Sequence, residues 1–98
     1  VEHSLDAIVS IDMNRLVTTW NPAAERVFGF TSEEMVGKSL NRFVPEERHS
    51  EQAEVFSRVE RGESVRHYVT VRNHRNGHQV PVSESISPIK DSQGRIIG

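Results

Sequence analysis

The apolar positions run at two periods, β-branched runs near both ends and helical spacing between them, so the chain divides into two strand regions around a helical middle. Ala7-Ile8-Val9-Ser10-Ile11 is a short β-branched run, Asp12-Met13-Asn14-Arg15 a polar turn, and Leu16-Val17-Thr18-Thr19-Trp20 resumes strand composition. This pattern predicts a β-hairpin. Asn21 before Pro22 places an N-cap residue ahead of a first-turn proline and predicts a helix through Phe28, stopped by Gly29. Thr31 with Glu34 forms a capping-box pattern, opening a short helix over 32–36 that Gly37 ends. Leu40, Phe43 and Val44 fit one helical turn before Pro45. The longest helix is expected over 46–61, with Gln52, Phe56 and Val59 on one stripe and Glu47, Arg48, Glu51, Glu54 and Arg58 toward water, before Gly62.

Two strands are expected next, over 65–72 and 79–88, joined through Asn76-Gly77, a dipeptide suited to the positive φ angles of a tight hairpin. Alternation puts Tyr68, Thr70 and Arg72 on one face and His67, Val69 and Val71 on the other. On the next strand Val80, Val82, Glu84 and Ile86 oppose Pro81, Ser83, Ser85 and Ser87. Lys90 to Gly94 reads as a polar turn, and Ile96 with Ile97 as the start of a last strand cut short at Gly98. Segregated strands and helices joined by short loops predict an α+β fold, an antiparallel sheet with helices on one face.

Composition narrows the function. With 98 residues the chain is expected to be one domain. Twelve Lys plus Arg against 14 Asp plus Glu give a net charge of -2, without the basic excess that binds a phosphate backbone, so no nucleic-acid partner is expected. The absence of cysteine removes disulfides, thiolate nucleophiles, cysteine metal sites and sulfur-linked chromophores. No apolar run approaches the roughly 18 residues of a membrane span. The opening Val1-Glu2-His3-Ser4 is unlike a signal peptide, so the expected location is cytoplasmic, within a membrane-anchored sensor protein or a free one.

No nucleophile elbow, phosphate-cradling glycine loop or paired carboxylates are present, so no catalytic residues are assigned. His74 and His78 are four apart but straddle the Asn76-Gly77 turn, and no metal site is assigned to them. Together with Arg72 and Arg75 they read as a solvated hairpin tip.

Five strings in order resemble the PAS sensor-domain family, over essentially the whole chain. They are Asp6-Ala7-Ile8-Val9 through Asp12; Trp20-Asn21-Pro22-Ala23-Ala24-Glu25-Arg26-Val27-Phe28-Gly29-Phe30; Thr31 to Gly37 with Lys38-Ser39-Leu40; His74-Arg75-Asn76-Gly77; and Ser87-Pro88-Ile89-Lys90-Asp91 with Gly94. The resemblance implies a five-stranded antiparallel sheet cupping a pocket against helices packed on one face, with its final strand truncated. It also implies a single sensor domain over 1–98, the core of a longer signalling protein, in which residues 1–5 are the remnant of an amphipathic cap. The output domain would be of the histidine kinase or diguanylate cyclase kind.

On the same resemblance Tyr68, Thr70, Val82, Glu84 and Ile86 point inward, and Trp20, Phe43, Gln52 and Phe56 complete a ligand-binding site. Such a pocket mixes apolar walls with a hydroxyl, a phenol and a carboxylate and suits a small polar or cationic ligand. Glu84, if buried, must be paired, protonated or solvated; the alternative is that it reaches water or an arginine. Trp20 serves equally as ordinary core or as a stacking surface.

Some relatives sense oxygen through a helical histidine bound to haem. Here Gln52 holds that position, with His49, expected to be exposed, one turn away, so haem is disfavoured. The light-sensing relatives need a cysteine for the flavin adduct, which is missing. No cofactor is required by the sequence. Three roles follow: a ligand sensor, a ligand-free module that homodimerises or docks through the outer sheet face of Val69 and Val71 or through flanking helices, and, last, a haem gas or redox sensor.

Overall fold

Asp12 closes the first hairpin. Its Oδ1 accepts hydrogen bonds from the backbone N–H groups of Asn14 at 2.8 Å and Leu16 at 3.0 Å, and Arg15 turns the chain with a left-handed φ of 66°. In the computed structural model, which describes residues 6–98, this turn joins β1 (Val9–Ile11) to β2 (Val17–Trp20) in an antiparallel pair. The cap remnant expected at residues 1–5 lies outside the described residues. Leu16, expected in the strand, makes only an isolated bridge to Ser39.

Asn21 organises the next junction. Its Oδ1 accepts from Ala24 N–H at 2.9 Å, capping α1 (Pro22–Phe28), and also from Ile8 N–H at 2.9 Å, which ties β1 to the helix start. Both halves of the Thr31/Glu34 capping box form at α2 (Ser32–Met35). That helix stops one residue earlier than expected because Val36 is already extended, and Gly37, at φ 86°, donates its N–H to the Val17 carbonyl at 2.8 Å. The chain is thereby returned to β2.

A 3-10 turn follows at Leu40–Arg42. The helix expected over 46–61 is divided into a 3-10 turn, Glu46–Arg48, and α3 (His49–Glu60). Arg48 breaks it: its backbone lies at φ -105°, ψ 2°, and neither segment has a side-chain cap. Gln52, Val55, Phe56 and Val59 are the buried face of α3.

The second pair is β3 (Val65–Asn73) with β4 (Gln79–Ile86), in a register that sets Tyr68 opposite Glu84, Thr70 opposite Val82 and Arg72 opposite Val80. The ladder shifts between Val65 and Tyr68, where His67 takes φ 55°. Beyond this bulge the expected alternation holds: Thr70 and Arg72 are buried while Val69 is 75% exposed. Strand β4 ends two residues short of the expected boundary.

The implied five-stranded sheet is four strands among the described residues, arranged as two separate antiparallel pairs. The Ile96–Ile97 segment expected to begin the last strand does pair antiparallel with Ile89 and Lys90 across the expected turn, but as an isolated bridge and not a full strand. Lys90 bridges Ile96, Ile97 N–H donates to the Ile89 carbonyl at 2.8 Å, and Gly98 abuts the Ile11 carbonyl. The side of β4 away from β3 has no strand partner among the described residues. The fold is nonetheless α+β, with the helices gathered against inward sheet positions.

Trp20, Phe28 and Phe43 form the core's centre, with ring centroids 5.1–5.7 Å apart and mostly edge-on. The Trp20 indole N–H donates to the Phe30 carbonyl at 2.8 Å, so the one polar atom of the ring is satisfied inside. Met35 and Val17 are buried around it. Each such side chain contributes about 1.5–3 kcal/mol relative to exposure. The β3–β4 tip is docked as well as solvated: Asn73 N–H reaches the Phe43 carbonyl, Arg75 N–H the Phe28 carbonyl, and Arg75 Nε the Glu34 carboxylate at 2.8 Å.

Candidate functional site

Gln52, Phe56 and Glu60 are four residues apart on α3 and so form one row along the helix. Each meets an arginine. Arg72, on the inward face of β3, is 1% exposed, which corrects its reading as part of a solvated tip. An unpaired buried guanidinium would be strongly destabilising. All five of its N–H groups find acceptors: Nε and Nη2 reach the two oxygens of Glu84 at 3.1 and 2.9 Å, and Nη2 also reaches Gln52 Oε1. Nη1 donates to Thr70 Oγ1 at 3.3 Å and to the Val71 carbonyl at 2.8 Å.

Glu84 is therefore paired, in the bidentate geometry that suits carboxylate and guanidinium. Burial pushes its carboxyl above the usual range, while Arg72 pulls the other way. The amide of Gln52 is oriented by the same arginine: a guanidinium only donates, so Oε1 turns to Arg72 and the Nε2 side turns away.

Next to this cluster, Thr70 Oγ1 donates to Glu51 Oε1 at 3.2 Å. Glu51, expected on the wet side of the helix, is half-buried. The Tyr68 hydroxyl is buried without a hydrogen-bond partner among the described residues. Burial first, and then the neighbouring Glu51 carboxylate, push its phenol up to about 12.

A cavity of about 650 Å³ opens between α3, β1, β4 and the returning residues 89–98. Of the nine residues expected at a ligand site, Phe43, Gln52, Phe56, Val82, Glu84 and Ile86 line it. Trp20, Tyr68 and Thr70 do not. Trp20 is core, at 5.1 Å from Phe43. Tyr68 packs on the Val55–Val59–Val65 cluster, and Thr70 lies behind Arg72, because the guanidinium occupies the space in front of it. Ser83 and Ser85 of β4 also join its lining.

Arg72 and Arg15 line the same cavity, and neither was expected at the site. For Arg72 the signal was available, since strand alternation already placed it on the same face as Thr70, a residue the resemblance turned inward. Arg15 carried none: it sits in a polar turn, yet its guanidinium lies 4.2 Å over the Phe56 ring and its Nη2 bonds Glu60 at 2.9 Å.

His49, expected exposed, is half-buried with its Nε2 at 3.0 Å from the Val44 carbonyl. His74 and His78 stack at 4.5 Å, and no group of three or more potential metal ligands occurs among the described residues. No helix among them is long and apolar enough to cross a membrane.

Two short antiparallel strand pairs and α3 thus frame an arginine-braced cavity. The profile of the PAS fold matches residues 1–98, and the chain belongs to the PAS family, whose members act as signal-input sensor domains. No curated protein is matched by the sequence. The PAS domain of a protein from Colwellia psychrerythraea has the same fold, with 25% identity and a TM-score of 0.88 over 97% of this chain and 80% of that one. The PAS-B domain of Drosophila melanogaster Cycle with bound glycerol gives 17% identity and a TM-score of 0.82, covering 94% and 90% of the two chains. A VqmA–ligand–DNA complex from Vibrio cholera gives 22% and 0.74, the match covering 97% of this chain and 43% of that one.

Proposed function

We propose that this domain is a non-catalytic signal input whose cavity binds a small polar ligand bearing a hydrogen-bond donor. The observation that carries the reading is Glu84, held at the cavity wall by an arginine whose every N–H is engaged, so the carboxylate is fixed in orientation before a ligand arrives. Each Glu84 oxygen retains acceptor capacity toward the cavity, the Gln52 amide supplies a donor, and Phe43, Phe56, Val82 and Ile86 supply apolar walls. The ligand shifts the population between two arrangements of sheet and α3, and this passes to an output domain of the same protein, of the histidine kinase or diguanylate cyclase kind, in the cytoplasm. Haem and flavin are not part of this reading: Gln52 is tied to Arg72, and no cysteine is present. Nor is nucleic acid a partner of the domain, given its net charge of -2.

Native mass spectrometry of the purified protein tests this. A retained small molecule, lost or weakened in Glu84→Gln, is the expected result; an empty protein that no compound of a metabolite panel stabilises against heat overturns it.

Val69, 75% exposed on the outer face of β3, favours a second reading, in which the domain is a ligand-free dimerisation or docking module. There, Val69→Lys lowers the dimer fraction in sedimentation without changing the melting temperature.

A further inference from the structure

Two arginines line the cavity, and they differ in what remains to them. Arg72 has no N–H left to give. Arg15 uses only Nη2, on Glu60, which leaves Nε and Nη1 without a hydrogen bond among the described residues. Its pair with Glu60 is at the rim, 36% and 44% exposed, where ion pairs are weak and easily exchanged. The guanidinium is nonetheless well placed, with its Cζ 4.2 Å from the Phe56 ring centroid and its backbone in the left-handed region that only some side chains tolerate. Arg15 is thus the cavity's arginine with N–H groups left for a carboxylate.

A simple anion meets resistance there, because Glu60 and Glu84 already pair with the two arginines of the cavity and Asp12 adds a further carboxylate to its lining. A molecule bringing its own positive charge does not. Glu84, the fixed acceptor, sits beside Gln52, while Arg15 sits over Phe56, one turn further along α3. One turn of four residues is roughly 6 Å of helix. We propose that the ligand is a small zwitterion whose ammonium group docks on Glu84 and whose carboxylate docks on Arg15, the two ends separated by about one helical turn. The proposal rests on the ligand-binding reading above and specifies its chemical class: a linear ω-amino acid in preference to an α-amino acid.

Calorimetric titration with glycine, γ-aminobutyrate and ε-aminohexanoate, with butyrate and butylamine as single-ended controls, tests it. The expected order has γ-aminobutyrate tightest and about tenfold above either control, the scale of one charged hydrogen-bonded contact. Arg15→Gln brings γ-aminobutyrate down to the level of butylamine, and Arg15→Lys restores part of the difference, with melting temperatures unchanged because the side chain is at the rim. Equal binding of butylamine and γ-aminobutyrate, or an Arg15→Gln protein that binds as the wild type does, overturns the zwitterion while leaving the ligand reading intact. Silence from all five compounds also overturns it. If mass spectrometry then finds no retained molecule and no compound of the metabolite panel stabilises the protein, the ligand reading falls with it.

Discussion

Arg72 and Glu84, twelve residues apart in sequence, meet through two hydrogen bonds of 2.9 and 3.1 Å, with the guanidinium sealed from water and the carboxylate open to the cavity. Removing the acid leaves a buried cation short of two acceptors. Glu84→Ala is expected to cost about 3 kcal/mol in urea denaturation, the scale seen when one partner of a buried pair is deleted. Replacing both residues by apolar ones of similar volume is expected to recover most of that loss. A double variant as unstable as the single one would show that the pair itself, and not the orphaned charge, holds the strands.

The same carboxylate gives the stability a pH slope. Burial raises the Glu84 pKa above its ordinary 4.5, against the pull of Arg72. The folded state therefore holds the proton more tightly than the unfolded chain. Its stabilising contribution is complete below 4.5 and is lost as the pH rises through the raised value. Urea midpoints of the wild type and Glu84→Gln, measured at a series of pH values, should diverge above 4.5, with the wild type losing ground. Parallel curves would contradict the assignment.

Gly29 ends α1 at φ 79° with the His74 imidazole directly against it; an ideal Cβ there would lie 2.5 Å from Cε1 of that ring. Gly29→Ala therefore combines a left-handed penalty of about 1–2 kcal/mol with a clash. Adding His74→Ala should relieve the clash and leave the backbone part. Additive losses in this double-mutant cycle would show that the tip does not press on the helix end.

Tyr68 presents the opposite case. Its hydroxyl is buried without a partner among the described residues, and its pKa of about 12 keeps it protonated. Tyr68→Phe removes a desolvated group and breaks no bond, so the thermal midpoint should hold or rise, by the equivalent of about 1 kcal/mol. A fall of similar size would mean that Glu51 holds the hydroxyl in solution.

Local chemistry was legible where one residue acts on its neighbours. Asn21 with Pro22, Thr31 with Glu34, and Gly29 specify their caps within a few residues, and each forms as the sequence reads. Alternation likewise set which residues of β3 and β4 share a face, and the family resemblance implied which face is inward. The division of the long helix at Arg48 was not legible, since nothing in the periodicity over 46–61 marks it. Nor was Arg15, whose contact with Phe56 and Glu60 spans more than forty residues.

The sequence by itself determined the caps, the order of the main elements and which strand side chains share a face, because those depend on interactions a few residues long. Only the tertiary structure decided what the inward residues meet. Arg72 became a buried brace because β4 and α3 bring Glu84 and Gln52 to it from twelve and twenty residues away. That brace put Thr70 behind the cavity wall and Glu84 on it. A charged group is tolerable inside only when partners distant in sequence converge on it, and convergence is a property of packing.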